Sequence, residues 1–135
     1  MRLRYEGARV VRETVLAAPR EEVWSALTDA ERLADWFASE VELDLEPGGS
    51  GVFRWENGEE RRAVVCEVVE GERLELEWVD EAGVASTVEL ELAEAADGTR
   101  LTVTETATAG LEPAVDWSVA IGLGALARHL DPVLV

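Results

Sequence analysis

The chain has 135 residues, enough for one domain with its own core and no need of disulfide or metal staples. Its 29 acidic and 12 basic residues give a net charge of −17, and every basic residue is an arginine, a sign of GC-rich coding. Arg61-Arg62 is the only basic pair after the N-terminal arginines, so nucleic acid is excluded as an expected partner and anionic membrane surfaces are disfavoured. The acidity itself is read as solubility, or as a high-salt or hot habitat. With no 18-residue apolar run, no membrane insertion is expected. Met1-Arg2-Leu3-Arg4-Tyr5-Glu6 lacks the apolar stretch of a signal peptide, and a single cysteine, Cys66, makes no internal disulfide. These features together lead to a cytoplasmic assignment.

The first strand contains Val10 to Leu16. Two short helices follow. Pro19 suits the first turn of a helix, Glu21 and Glu22 complement its dipole, and Val23, Trp24 and Leu27 share a face. Thr28-Asp29-Ala30-Glu31 is a capping-box pattern that restarts a second helix with Leu33, Trp36 and Phe37 on its apolar side. From residue 40 onward the period is two. Strands are expected at Val41–Leu45, Val52–Trp55, Arg62–Val69, Leu74–Val79, Val84–Ala93 and Leu101–Thr108, with turns at Pro47-Gly48-Gly49, Asn57-Gly58, Glu70-Gly71, Gly83 and Asp97-Gly98. The continuous run Ala63-Val64-Val65-Cys66 suggests a central strand buried on both faces. Connections this short make neighbours antiparallel. After Glu112-Pro113 a helical segment runs to about Leu130, carrying Trp117, Ile121, Leu123 and Leu126. Gly122 and Gly124 interrupt it, which calls for close approach to the sheet, room for a ligand beneath the helix, or a break there.

This order, with Ala18-Pro19…Val23-Trp24…Leu27-Thr28-Asp29…Leu33…Trp36-Phe37, resembles the START-like helix-grip superfamily, also called SRPBCC. Pro47-Gly48-Gly49, Arg73-Leu74…Trp78 and Asp97-Gly98-Thr99-Arg100-Leu101-Thr102-Val103-Thr104 narrow the likeness to the branch named for activators of the heat-shock chaperone ATPase. The resemblance covers residues 8–131 of a single domain, 1–135. The implied fold is α+β: a curved antiparallel sheet of about seven strands wrapped around a long C-terminal helix, with two short helices between strands 1 and 2. The last helix departs from the family pattern, having Asp116-Trp117 in place of Gly-Trp.

A curved sheet gripping one helix leaves a cavity, and strand parity selects its lining. Leu74, Leu76 and Trp78 share a face, as do Val88, Leu90 and Leu92, and Leu101 and Val103; the same phase carries Glu105 inward. Val10 and Leu16 bring Arg12 with them on the first strand. Arg12 and Glu105 therefore either meet inside as a polar handle, or a strand end or bulge turns one of them to solvent. Trp55, Trp78 and Trp117 are expected at the cavity, with Ile121 and Gly124 on the helix above. Trp24 and Trp36 are expected to pack the short helices. On the opposite face Glu75, Glu77, Glu89 and Glu91 form a solvated surface rather than a cation site.

Catalytic constellations are sparse. His129, the only histidine, falls in the last turn of the terminal helix, where an imidazolium suits the dipole. Cys66 is expected to be a buried, inert thiol. Gly48-Gly49-Ser50-Gly51 lacks the lysine of a phosphate loop and is a connection. The leading functional reading is non-catalytic binding of a small apolar or aromatic molecule, without metal or organic cofactor. The alternatives are a co-chaperone or protein-interaction domain, and an enzyme of cyclase or hydrolase type using Glu105.

Overall fold

The computed structural model describes residues 2–6, 9–79, 85–107 and 123–130. In chain order these form β1 (Arg2–Glu6), β2 (Arg9–Leu16), α1 (Arg20–Thr28), α2 (Ala30–Trp36), β3 (Glu40–Leu43), β4 (Ser50–Arg54), β5 (Glu60–Val69), β6 (Arg73–Val79), β7 (Ala85–Ala95), β8 (Gly98–Ala107) and α3 (Leu123–Leu130). The strands make one sheet in the order β1-β2-β8-β7-β6-β5-β4-β3, with antiparallel neighbours throughout. The meander from β3 to β8 thus ends beside β2, and the chain between β2 and β3 carries the two short helices. This is the helix-grip arrangement.

The sheet has eight strands among the described residues rather than about seven. The addition is β1, which lies beyond β2 in the register Arg2↔Glu13 to Glu6↔Arg9. A short, arginine-rich strand is well suited to an edge, where charge opposes pairing with another chain.

Pro19 stands at the N-cap of α1 with extended backbone (φ −67°, ψ 157°), one position before the first helical residue. Its carbonyl accepts from the amides of Glu22 and Val23 at 3.0 and 3.1 Å. The restart of α2 works through Asp29, whose side chain accepts from the Glu31 amide at 2.9 Å. Thr28 turns back instead, donating from Oγ1 to the Trp24 carbonyl at 2.7 Å. Val23, Trp24, Ala26 and Leu27 are buried on α1, and Leu33 and Phe37 on and after α2. Both helices are too short to persist alone, so this burial stabilises them. From α3, Leu126 is completely buried in the same core. The α3 helix meets α1, α2 and β2, and the expected start of a longer helix lies outside the described residues.

One strand differs from expectation. β5 alternates in burial, with Ala63 and Val65 at 3% and 1% exposure while Val64 is 46% exposed. Cys66 is exposed as well, so the buried-thiol expectation fails. The strand has one solvated face, and a register shift between Val65 and Glu67 bends it there. An uninterrupted aliphatic run does not distinguish a strand buried on both faces from one whose outer positions happen to be aliphatic.

Candidate functional site

Register fixes which residues share the inner wall. Across the sheet, Val65, Leu76, Val88, Glu105 and Val10 are successive partners; the next row contains Leu74, Leu90, Val103 and Arg12. Leu76, Trp78, Leu90 and Val103 are each at most 1% exposed and belong to one apolar cluster. Glu105 is 1% exposed, so its inward phase holds. Because Val10 pairs with Glu105 and Arg12 with Val103, Arg12 is the diagonal neighbour of Glu105 on the same face, with its Nε removed from solvent. Trp117 and Ile121 lie outside the described residues, and Gly124 lies within α3.

Two polar residues of this wall escaped the sequence reading. Arg61 continues the inward parity of Ala63 and Val65, pairs with Phe53, and has a side chain only 12% exposed. Its Nη2 lies 3.8 Å from Glu59. Extending the β5 alternation by one step would have found it. Ser86 faces inward opposite Trp78 and is 2% exposed; among the described residues its Oγ has no hydrogen-bond partner. A buried hydroxyl without a partner is uncommon and calls for an account.

A cleft opens where the C-terminal end of α2 meets the β4–β5 hairpin. It has a volume of about 510 Å³ and is lined by Ala34–Ser39 and by Trp55, Glu56 and Asn57. Trp55, expected at the cavity between the sheet and the C-terminal helix, lines this other cleft, and so does Trp36, expected only to pack the helices. Both indoles are fixed by their own N–H groups: Trp36 Nε1 donates to the Ala26 carbonyl and Trp55 Nε1 to the Phe37 carbonyl, each at 2.8 Å. Phe37 connects this cleft to the inner wall. Its ring lies 5.3 and 5.5 Å from those of Trp36 and Trp55, and 5.6 and 6.1 Å from those of Phe53 and Trp78. The tilted and edge-to-face angles are those aromatic quadrupoles favour.

On the outer face Arg73 gathers four carboxylates. Arg73 donates from Nε to Glu67 and from Nη1 to Glu89 and Glu91 at 3.3 and 3.1 Å, with Glu75 at 3.8 Å from Nη2. The hydrogen bond to Glu67 is the largest of the influences that raise its pKa above the ordinary value. Cys66 stands beside this acidic surface; partial desolvation by its neighbours, then the charges of Glu75 and Glu77, push its thiol pKa up. At the other side of the fold, Arg32 Nε donates to His129 Nε2 at 3.1 Å. This contact ties the last helix to α2 through the histidine ring and a guanidinium. No group of three or more metal-ligating side chains occurs among the described residues, and none of their helices is long and apolar enough to cross a membrane.

A single curved antiparallel sheet with helices on one face and a nearly apolar inner wall defines a START-like helix-grip domain, an architecture of ligand-binding proteins. The family described as Activator of Hsp90 ATPase homolog 1-like protein matches residues 17–134, and the chain belongs to it. CalU16 from Micromonospora echinospora is 30% identical, with a TM-score of 0.71 over 98% of this chain and 84% of CalU16. DynU16, a protein in the dynemicin biosynthetic locus, is 26% identical with a TM-score of 0.81. That match covers 93% of this chain but 48% of DynU16, so the chain spans about half its length. A protein from Rhizobium leguminosarum, 23% identical with a TM-score of 0.75 over 98% of this chain and 99% of its own, shares the fold. No curated protein matches the chain.

Proposed function

We propose that this protein is a non-catalytic binder of a small apolar or aromatic molecule, held between the inner wall of the sheet and the C-terminal helix. The observation that carries the reading is the pair of polar groups set into an apolar wall: Glu105 at 1% exposure, and the Ser86 hydroxyl without a partner among the described residues. Burying the Ser86 hydroxyl costs free energy unless something hydrogen-bonds to it, and a ligand with one polar edge does so. Arg12, diagonal to Glu105, and Arg61 lie on the same face. Leu76, Leu90, Val103 and Trp78 supply the apolar surface, and the contributions expected of Trp117 and Ile121 lie outside the described residues. The exposed thiol Cys66 suits a reducing, cytosolic setting. DynU16, from a biosynthetic locus, makes a small biosynthetic intermediate a reasonable class of ligand.

Native mass spectrometry of the purified protein, followed by tryptophan-fluorescence titration with apolar and aromatic metabolites, tests this. The expected result is a co-purifying mass, or saturable quenching that Trp78→Phe diminishes. Glu105→Gln should change affinity; loss of turnover instead would assign an enzyme. A clean apo mass and no response across the panel would favour a protein partner docked on the acidic exterior.

A further inference from the structure

We propose that the cleft between α2 and the β4–β5 hairpin is a second site, independent of the inner cavity, that binds a small organic ammonium ion. The argument starts from what the cleft can and cannot offer. Trp36 and Trp55 are held in place by hydrogen bonds from their own N–H groups to the Ala26 and Phe37 carbonyls. Their donors are therefore spent inside the protein, and what Trp36 and Trp55 offer the cleft is aromatic ring surface. Asn57 Oδ1 is likewise engaged, accepting from the Glu59 amide at 2.9 Å.

The charges that remain are negative. Asp35 and Glu56 line the cleft, both are exposed, and neither has an ion-pair partner among the described residues. None of the residues lining the cleft is basic. An anion would meet repulsion from two carboxylates and from a chain of net charge −17. A divalent metal ion wants six or more oxygens in a defined shell, which two carboxylates on separate elements beside aromatic walls do not make. A quaternary ammonium satisfies every feature: its charge is spread over carbon-bound hydrogens that pack against aromatic rings, and exposed carboxylates attract it without desolvating fully. At about 510 Å³ the cleft has room for such an ion with a substituent.

The probe is choline, with its uncharged isostere 3,3-dimethylbutan-1-ol as the control. Protein labelled with 5-fluorotryptophan reports location by fluorine NMR. Choline should shift the Trp36 and Trp55 resonances, leave Trp24 and Trp78 in place, and saturate with a Kd on the order of 1 mM. The isostere should bind at least about tenfold more weakly, because only the charge differs. The double variant Asp35→Asn/Glu56→Gln alters two exposed side chains, so its folding is not at risk. It should weaken choline several-fold and flatten the dependence of Kd on sodium chloride. Trp55→Leu should cost roughly three- to thirtyfold. Equal binding of the two isosteres, shifts confined to Trp78, or no saturation up to about 50 mM would each overturn the proposal. A ligand of the inner cavity is read at Trp78 and scored separately, so either site can fail without the other.

Discussion

Replacing Arg73 by Met keeps the aliphatic stem and removes the cation shared by Glu67, Glu75, Glu89 and Glu91. Glu75 and Glu89 sit directly opposite each other on β6 and β7, and their side chains are 26% and 29% exposed. Glu67 and Glu91 are more open, at 49% and 51%. Exposed ion pairs contribute about 0.2–1 kcal/mol each, so the two half-buried partners are placed near the top of that range and the outer two well below it. The combined loss is about 2 kcal/mol, with the repulsion between opposed carboxylates left uncompensated. An unfolding entropy of about 2.1 cal/mol/K per residue converts this to a fall in Tm of roughly 7 °C for a chain of this size. Thermal melts followed by circular dichroism in low salt measure it. Wild-type Tm should rise with moderate sodium chloride, because the chain carries a net charge of −17. The variant should rise more steeply, since only repulsion is left to screen, and the gap should shrink by more than half near 1 M. A gap under about 2 °C in low salt, or one that salt leaves unchanged, would refute the electrostatic account of this face.

Gly98→Ala should be far more damaging than Gly58→Ala. At Gly98 the backbone has φ +145° and a Cβ would stand 1.9 Å from the Leu16 carbonyl oxygen, so β8 must pull away from β2; a loss of about 3 kcal/mol or more is expected. Gly58, at φ +91° in the Asn57-Gly58 turn, has open space around it and should lose only about 1–2 kcal/mol; denaturant midpoints of the two variants decide, and equal shifts would contradict the geometry. Cys66 should alkylate more slowly at pH 8 than an unstructured cysteine peptide despite its exposure, because partial desolvation by its neighbours and then Glu75 and Glu77 raise its pKa and leave less thiolate. Glu77→Gln should speed the reaction and move its pH midpoint down. An unaltered midpoint would remove that carboxylate from the cause.

Period-two alternation made most of the sheet legible. Leu74, Leu76 and Trp78 on one phase with Glu75 and Glu77 on the other leave only one way to face the core, and Asn57-Gly58 and Asp97-Gly98 mark the turns on either side of that pattern. The failures have physical causes. Ala63-Val64-Val65-Cys66 carries no polar residue to set a phase, so the exposure of Val64 and Cys66 depended on what lay across the sheet. The cleft was invisible because its walls, the end of α2 and the hairpin after β4, meet only when Phe37 packs between Phe53, Trp55 and Trp78. Capping by Asp29 rather than Thr28 was a choice between two adjacent acceptors that composition cannot make.

Glu105 shows where parity ends and register begins. Its inward phase follows from Leu101 and Val103 alone, and the structure agrees. Whether Arg12 stands near it depends on how β2 slides along β8, and a slip of one residue would have sent Arg12 to the outer face. The observed pairing of Val10 with Glu105 keeps Val10, Arg12 and Leu16 on the inner side and sets the guanidinium one diagonal step away. That register is pinned by elements remote from either charge: Thr99 Oγ1 donates to the Ala18 carbonyl at 2.8 Å, and Gly98 admits the Leu16 carbonyl where no side chain would fit. The turn chemistry of Asp97-Gly98 therefore positions the polar groups of the inner wall, and a change there should be felt in ligand affinity as well as in stability.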